Sequence, residues 1–145
     1  MSEEFDECIG LQLKITKNIM EMEHNKYLKP YGISSEQGLL LKCVYEIPGI
    51  TQTQIADYLT KDKTTVTRMI DTLVKKGSII RKSSDKDRRV YHIYLTPEIE
   101  KKVEEVSPHF EKNHEDLQKI ISKEDYKTTL KVLSQIQEYY RGLNK

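Results

Sequence analysis

Cysteine is scarce in this sequence, and long apolar runs are missing. The 145 residues hold two cysteines, Cys8 and Cys43, far apart in the chain. Such a pair makes no disulfide framework, so a cytoplasmic protein with reduced thiols is the simplest expectation. No apolar stretch approaches the roughly 20 residues that a membrane-spanning helix needs. The opening MSEEFDE is acidic, whereas a secretory signal begins with basic residues. No nucleophile motif, phosphate-binding loop or metal-hydrolase pattern appears, so no enzyme is expected. Of the four histidines (His24, His92, His109 and His114) only the last two are close. Five residues apart, they point to different faces of a helix. No cysteine joins them at a zinc-like spacing. No metal and no cofactor are expected. Internal repeats and low-complexity segments are also absent.

What is present is charge, unevenly placed. The net charge is +1. Residues 1–60 carry five Lys and nine Asp/Glu, a balance of −4. Residues 61–92 carry ten Lys/Arg against four Asp, a balance of +6. Residues 93–145 carry nine Lys/Arg and ten Asp/Glu, a balance of −1. A central basic block between neutral or acidic flanks suggests a surface for a polyanion, although a solvated charged face would look the same.

Hydrophobic spacing predicts a mainly helical chain. One helix is expected from Glu3 to about Leu28, ended by Lys29-Pro30-Tyr31-Gly32. Cys8 lies on its apolar side and reads as a packed small hydrophobe. Ser34 or Ser35 caps a second helix, with Leu39, Leu40, Cys43, Val44 and Ile47 on its buried face. Thr51 caps a short third helix carrying Ile55, Ala56 and Leu59. Asp62 caps a fourth, in which Val66, Ile70, Leu73 and Val74 share a face and Gly77 forms the C-terminal cap. Ile79–Lys82 and Val90–Leu95 read as two strands of a hairpin with a polar tip. Thr96-Pro97 starts a fifth helix with Val103, Val106, Phe110, Leu117, Ile120 and Ile121 as apolar positions. Ser122 caps a sixth, whose stripe is Leu130, Leu133, Ile136, Tyr140 and Leu143.

Short helix, turn, helix and hairpin in that order are the layout of a winged helix-turn-helix. Ala56 is small where two crossing helices must approach. The outward residues of the fourth helix are Lys63, Thr64, Thr65, Thr67 and Arg68. Hydroxyls near a helix N-terminus suit phosphate, and arginine reaches a guanine edge in the major groove. Threonine is a mediocre helix former, so three within four positions call for a reason, and DNA contact supplies one. The hairpin tip carries Lys86, Arg88 and Arg89, which suit a narrow, negative minor groove. Arg81 and Lys82 are weaker candidates, since neutralising Asp85 and Asp87 would explain them.

The run from Ile50 to Thr96 resembles the DNA-binding core of the MarR family of bacterial and archaeal regulators. The most specific match is Asp87-Arg88-Arg89 ahead of Ile93-x-Leu95-Thr96. The resemblance implies one MarR-like domain over residues 1–145. Within it, residues 34–96 form the DNA-binding lobe, and residues 1–33 and 97–145 supply dimerisation helices. It implies that Arg89 enters the minor groove, that Asp87 braces the wing by pairing with a cation, and that Thr65, Thr67 and Arg68 belong to the recognition helix. It also implies a homodimer on double-stranded DNA at a pseudo-palindromic operator, usually as a repressor. A small phenolic or other aromatic effector bound near His24, Tyr27 and Tyr31 is a further implication. Two departures stand out. The family often has an apolar residue after the glycine that closes the recognition helix, where this chain has Ser78. It often has a glycine soon after the strand-ending Leu-Thr, where this chain has Pro97-Glu98. The alternative function is a winged-helix protein–protein module without DNA readout. The basic hairpin and the threonine-rich helix face favour DNA.

Overall fold

The computed structural model describes residues 2–143. Its N-terminus departs from the single helix expected over residues 3–28. Two helices stand there, α1 (Glu3–Asp6) and α2 (Ile9–Leu28). Glu3, Glu4 and Asp6 suit the positive end of α1, but a carboxylate at its negative end is unfavourable. Glu7 occupies that end, four residues from Glu3, where like charges repel. The chain breaks there. Cys8 takes an extended conformation ahead of α2 and is exposed, not packed as expected.

A 3₁₀ turn (Lys29–Tyr31) and Gly32, with φ +69°, lead into α3 (Ser35–Glu46). Ser34 is the cap, through a reciprocal pair. Its hydroxyl accepts the Gln37 N–H at 3.1 Å, and the Gln37 side chain accepts the Ser34 N–H at 3.2 Å. Thr51 and Gln54 repeat the device at α4 (Gln52–Leu59). Each pair satisfies two backbone donors that a helix start leaves open. Asp62 caps α5 (Lys63–Lys75), its Oδ1 accepting the Thr65 N–H at 2.8 Å. At the far end of α5, Gly77 has φ +74°. Its N–H donates to the Val74 carbonyl, and the Ser78 N–H donates to Leu73. This two-bond glycine cap turns the chain directly into the hairpin.

Strands β1 (Ile79–Ser83) and β2 (Tyr91–Leu95) pair antiparallel, with Ile79 opposite Leu95, Arg81 opposite Ile93 and Ser83 opposite Tyr91. Val90 falls outside β2. Its carbonyl accepts from Ser84 and its N–H donates to Asp87, so it closes the tip. The segment before α4 adds a short edge to β2. The Gly49 N–H donates to the Ile93 carbonyl, and the Ile93 N–H donates to Ile50. A Cβ on Gly49 would lie 3.0 Å from the Tyr94 hydroxyl, and its φ is +84°. The approach of these two segments therefore depends on glycine.

The chain forms two compact units, Met1–Glu105 and Val106–Lys145. The first has the core. Leu28, Leu40, Leu41, Ile55, Ile70 and Ile93 are each at most 2% exposed. Burying one such side chain contributes about 1.5–3 kcal/mol. On α3 the buried residues are Leu40, Leu41 and Val44. Leu39 and Ile47, expected inside, are exposed, and Cys43 is half-buried, with its thiol pKa raised by that burial. The buried face is rotated by about one residue from the expected one, which omitted Leu41. Val74 on α5 is also exposed. It stands next to Leu73, which holds the buried position in that turn.

Ser78 is buried. Its carbonyl accepts both the Thr96 N–H at 3.0 Å and the Thr96 hydroxyl at 3.2 Å, and that hydroxyl also reaches the Gly77 carbonyl at 2.8 Å. Thr96 thus joins the end of β2 to the end of α5. Helix α6 (Pro97–Ile120) follows, with Pro108 inside it. Proline lacks the N–H that the Glu104 carbonyl would receive. In the second unit Ser122 caps α7 (Lys123–Gly142) through the Asp125 N–H. Ile120, Leu130, Tyr140 and Leu143 are more than half exposed.

Candidate nucleic-acid interface

Helices α4 and α5 are joined by the turn Thr60-Lys61-Asp62. Thr60 has φ 53° and ψ 47°, and it is the one non-glycine among the described residues with positive φ. Its N–H donates to Asp57, and the Lys61 N–H donates to Ala56. Ala56 is buried, where a larger side chain would hold the two helices apart. Lys61 pairs with Glu36 of α3.

The candidate residues of α5 divide into two groups. Lys63, Thr64 and Arg68 are exposed. Thr65 and Thr67 are half-buried and spend their hydroxyl protons locally. The Thr65 hydroxyl donates to Asp62 Oδ2 at 2.7 Å, and the Thr67 hydroxyl donates to the Lys63 carbonyl at 2.8 Å. Both oxygens keep lone pairs but have lost their free donor. Hydrogen bonds from Thr65 hold the Asp62 carboxyl below its ordinary pKa, which keeps the cap charged. A shallow open depression lies between the start of α3 and α5, lined by Ser34, Gln37, Thr65, Arg68, Met69 and Thr72.

At the wing tip, the Asp87 carbonyl accepts the Val90 N–H at 3.0 Å, so Arg88 and Arg89 are the two central residues of a turn. Arg89 therefore precedes β2. Asp87 Oδ1 accepts the Arg89 backbone N–H at 3.0 Å and its Nε at 3.2 Å, and Oδ2 accepts Nη2 at 3.3 Å. These bonds depress the Asp87 pKa, the side-chain bonds more than the backbone one. The Arg89 side chain is 90% exposed, and an exposed ion pair contributes little to stability. The effect is conformational: one carboxylate fixes the backbone and the direction of the arginine that follows it. Lys86 and Arg88 are exposed and make no ion pair among the described residues. The Lys86 N–H donates to the Ser84 hydroxyl.

The two remaining wing cations have other partners. Arg81 pairs with Asp71 of α5, where Asp85 or Asp87 was expected, and its guanidinium lies 5.4 Å from the Tyr91 ring centroid. Lys82 stands 5.1 Å from the Tyr94 ring centroid. Sequence reasoning missed the Asp71–Arg81 pair because its members lie on different elements.

His24, Tyr27 and Tyr31 are all half-buried along the end of α2 and the 3₁₀ turn. The Tyr27 and Tyr31 rings are 6.1 Å apart. Partial burial, a hydrogen bond with Tyr27 and the charge of Glu105 raise the Tyr31 pKa. Nearby, the Tyr45 hydroxyl donates to Glu104 at 3.4 Å.

Residues 33–91 match the profile of the MarR family. The HTH-type transcriptional regulator YwoH of Bacillus subtilis is 34% identical over 106 residues, covering 73% of this chain and 77% of that protein. The chain belongs to the MarR family. The transcriptional repressor MprA of Escherichia coli is 33% identical over 103 residues, 70% of this chain and 56% of MprA. Among solved structures, Staphylococcus aureus MepR in complex with DNA is similar at a TM-score of 0.85 and 25% identity, over 91% of this chain and 98% of that one. A MarR protein from Peptoclostridium difficile matches at a TM-score of 0.87 and 20% identity, over 98% and 93%. The mainly helical fold with its two-stranded wing is that of these proteins. As a MarR-family member this chain is a DNA-binding transcriptional regulator and not an enzyme. No helix among the described residues is long and apolar enough to cross a membrane.

Proposed function

We propose that this regulator is a homodimeric, effector-responsive repressor that reads a pseudo-palindromic operator, with α5 in the major groove and the wing in the adjacent minor groove. The observation that carries this reading is a set of cations on the first turns of α5 and the wing tip without counter-charge. Lys63, Arg68, Lys86 and Arg88 are exposed and make no ion pair among the described residues. They stand on the first turns of α5 and on the wing tip, beside an Arg89 whose backbone Asp87 holds. Lys75, Lys76 and Lys82 also lack an ion pair among the described residues, but stand at the far end of α5 and on β1. Exposed cations on two elements of one lobe attract phosphate, and the held arginine suits a narrow minor groove. Thr64, and the lone pairs of Thr65 and Thr67, complete the contact set on α5. MepR is known bound to DNA, and MprA is named a repressor.

In this reading residues 34–96 are the DNA-binding lobe, and residues 1–33 and 97–145 are dimerisation helices. Exposed apolar side chains support the assignment. Ile9, Leu13 and Met20 on α2, Leu130 and Tyr140 on α7, and Leu143 just beyond it, need cover that a second copy would supply. Two recognition helices at fixed separation call for half-sites about one helical turn apart. The aromatic effector would lie against His24, Tyr27 and Tyr31. The protein would act in the cytoplasm.

The test is genome-wide mapping of bound sites, followed by affinity measurements on the sites found. A two-fold symmetric motif is expected, with binding that weakens by a log–log slope of about −0.9 per phosphate neutralised as salt rises. Binding to no duplex, or salt-insensitive binding, would restore the protein–protein module.

A further inference from the structure

One arginine touches both elements of the proposed interface. Arg81 lies on β1 opposite Ile93, and its side chain is 24% exposed. Its Nη2 donates to Asp71 Oδ1 of α5, and its guanidinium packs against the Tyr91 ring of β2. Its Nε is buried and has no partner among the described residues. A guanidinium taken partly out of water with one donor unmet is a poor source of stability. Its geometry is more informative. Asp71 follows Arg68 by three residues, so the two are neighbours on α5. Tyr91 follows Arg89 by two.

We propose that Asp71, Arg81 and Tyr91 form a positioning clamp that fixes the wing against the recognition helix, so that Arg89 is presented at a set distance from Arg68. The inference rests on reading both arginines as DNA contacts. A planar guanidinium pairs with a carboxylate at its edge while its face lies on a ring, which a lysine ammonium does not do in the same way. The clamp complements the bonds of Gly49 and Ile50 to Ile93. Those bonds hold the middle of β2, whereas Tyr91 sits at its tip end.

The test uses the full-length protein and the variants Arg81→Gln, Arg81→Lys, Tyr91→Leu and the charge swap Asp71→Arg with Arg81→Asp. In the free protein, backbone order parameters of residues 84–90 should fall in Arg81→Gln from about 0.85 toward 0.6, while those of α3 and α5 stay unchanged. On operator DNA, Arg81→Gln should weaken binding about five- to thirtyfold, the equivalent of leaving one residue's backbone to be ordered on binding. In that background the further loss from Arg89→Ala should shrink, whereas the loss from Arg68→Ala should persist in full. Arg81→Lys should behave like Arg81→Gln, and the charge swap should recover part of both readouts. An ordered wing in both Arg81→Gln and Tyr91→Leu would overturn the clamp. Equal shrinkage of the Arg68 and Arg89 losses would also overturn it, because general loosening predicts that. Should Arg81→Gln fail to fold, Tyr91→Leu carries the same two readouts, since that residue is 37% exposed. If Arg89→Ala costs nothing in the parent protein, the wing-contact reading fails, and the order parameters alone decide the clamp.

Discussion

Replacing Thr60 with glycine should make the protein more stable. Thr60 holds φ 53° and ψ 47° at the end of α4. An L-residue in this left-handed region is disfavoured by roughly 1–2 kcal/mol, and β-branched residues are rare there. Glycine removes that strain but has more unfolded-state freedom to lose, which takes back about 0.5–1 kcal/mol. The net gain is about 0.5–1 kcal/mol. Nothing else is given up, because Thr60 is exposed and its bond to Asp57 uses the backbone N–H, which glycine keeps. For a chain of this length 1 kcal/mol moves Tm by roughly 2–4 °C, so a rise of about 1–4 °C is expected. Thermal unfolding followed by circular dichroism would measure it, at one fixed protein concentration because subunit association shifts Tm. Thr60→Val is the control. It keeps the β-branch and the strain, so its Tm should match or fall below the parent's. A lower Tm for glycine than for valine would show that the turn is not strained at this backbone position.

Among the wing variants, Arg89→Ala should weaken operator binding most at fixed salt, and Asp87→Ala should also weaken it despite removing a negative charge. An Asp87→Ala protein that binds more tightly than the parent would contradict the ordered wing. Ile93→Ala, at a residue with no exposure, should cost about 2–5 kcal/mol in urea unfolding. Asp62 and Asp87 have folded pKa values below the ordinary 3.8. Carboxylates depressed in this way add stability above their unfolded pKa and lose it as pH falls through the folded one. Their contribution should be intact at about pH 5 and vanish only in stronger acid, with NMR-detected carboxyl midpoints below 3.8. Removing residues 1–20 or 126–145 should leave monomers or insoluble chains, and sedimentation showing a folded dimer from either would move the interface elsewhere.

Local signals carried most of the fold. The caps at Ser34, Thr51, Asp62 and Ser122 and the glycine turn at Gly77 were legible because each is settled within a few residues of itself. The errors have a different origin. On α3, Leu39-Leu40-Leu41 offers three leucines in a row, and periodicity alone cannot say which one the neighbouring helices cover. On α5, Leu73-Val74 poses the same problem. In the N-terminal segment, apolar residues continue at helical spacing across Glu7-Cys8, but four carboxylates crowded into the first turns decide against one continuous helix. Cys8 followed that break to the surface, so its burial could not be read from the stripe it belongs to.

The candidate site was legible as a list but not as an allocation. Counting cations located the basic block between residues 61 and 92 and left each cation equivalent. Geometry separates them. Lys61 pairs with Glu36, and Arg81 pairs with Asp71 across two elements that hydrophobic patterning treats independently. Arg89 gives part of its charge to Asp87 and gains a fixed backbone in return. Charge removed in this way contributes little to long-range attraction for DNA, which the cations without an ion pair, Lys63, Arg68, Lys86 and Arg88 among them, must then provide. The same division applies to the threonines. Thr65 and Thr67 stabilise the first turn of α5 with the hydroxyl protons that a phosphate would otherwise receive, and Thr64 keeps its own exposed. A threonine-rich helix start is thus partly a cap and partly a surface. The residues doing each job differ by a single position, about 100° around the helix, a distinction that depends on where Asp62 places the first turn.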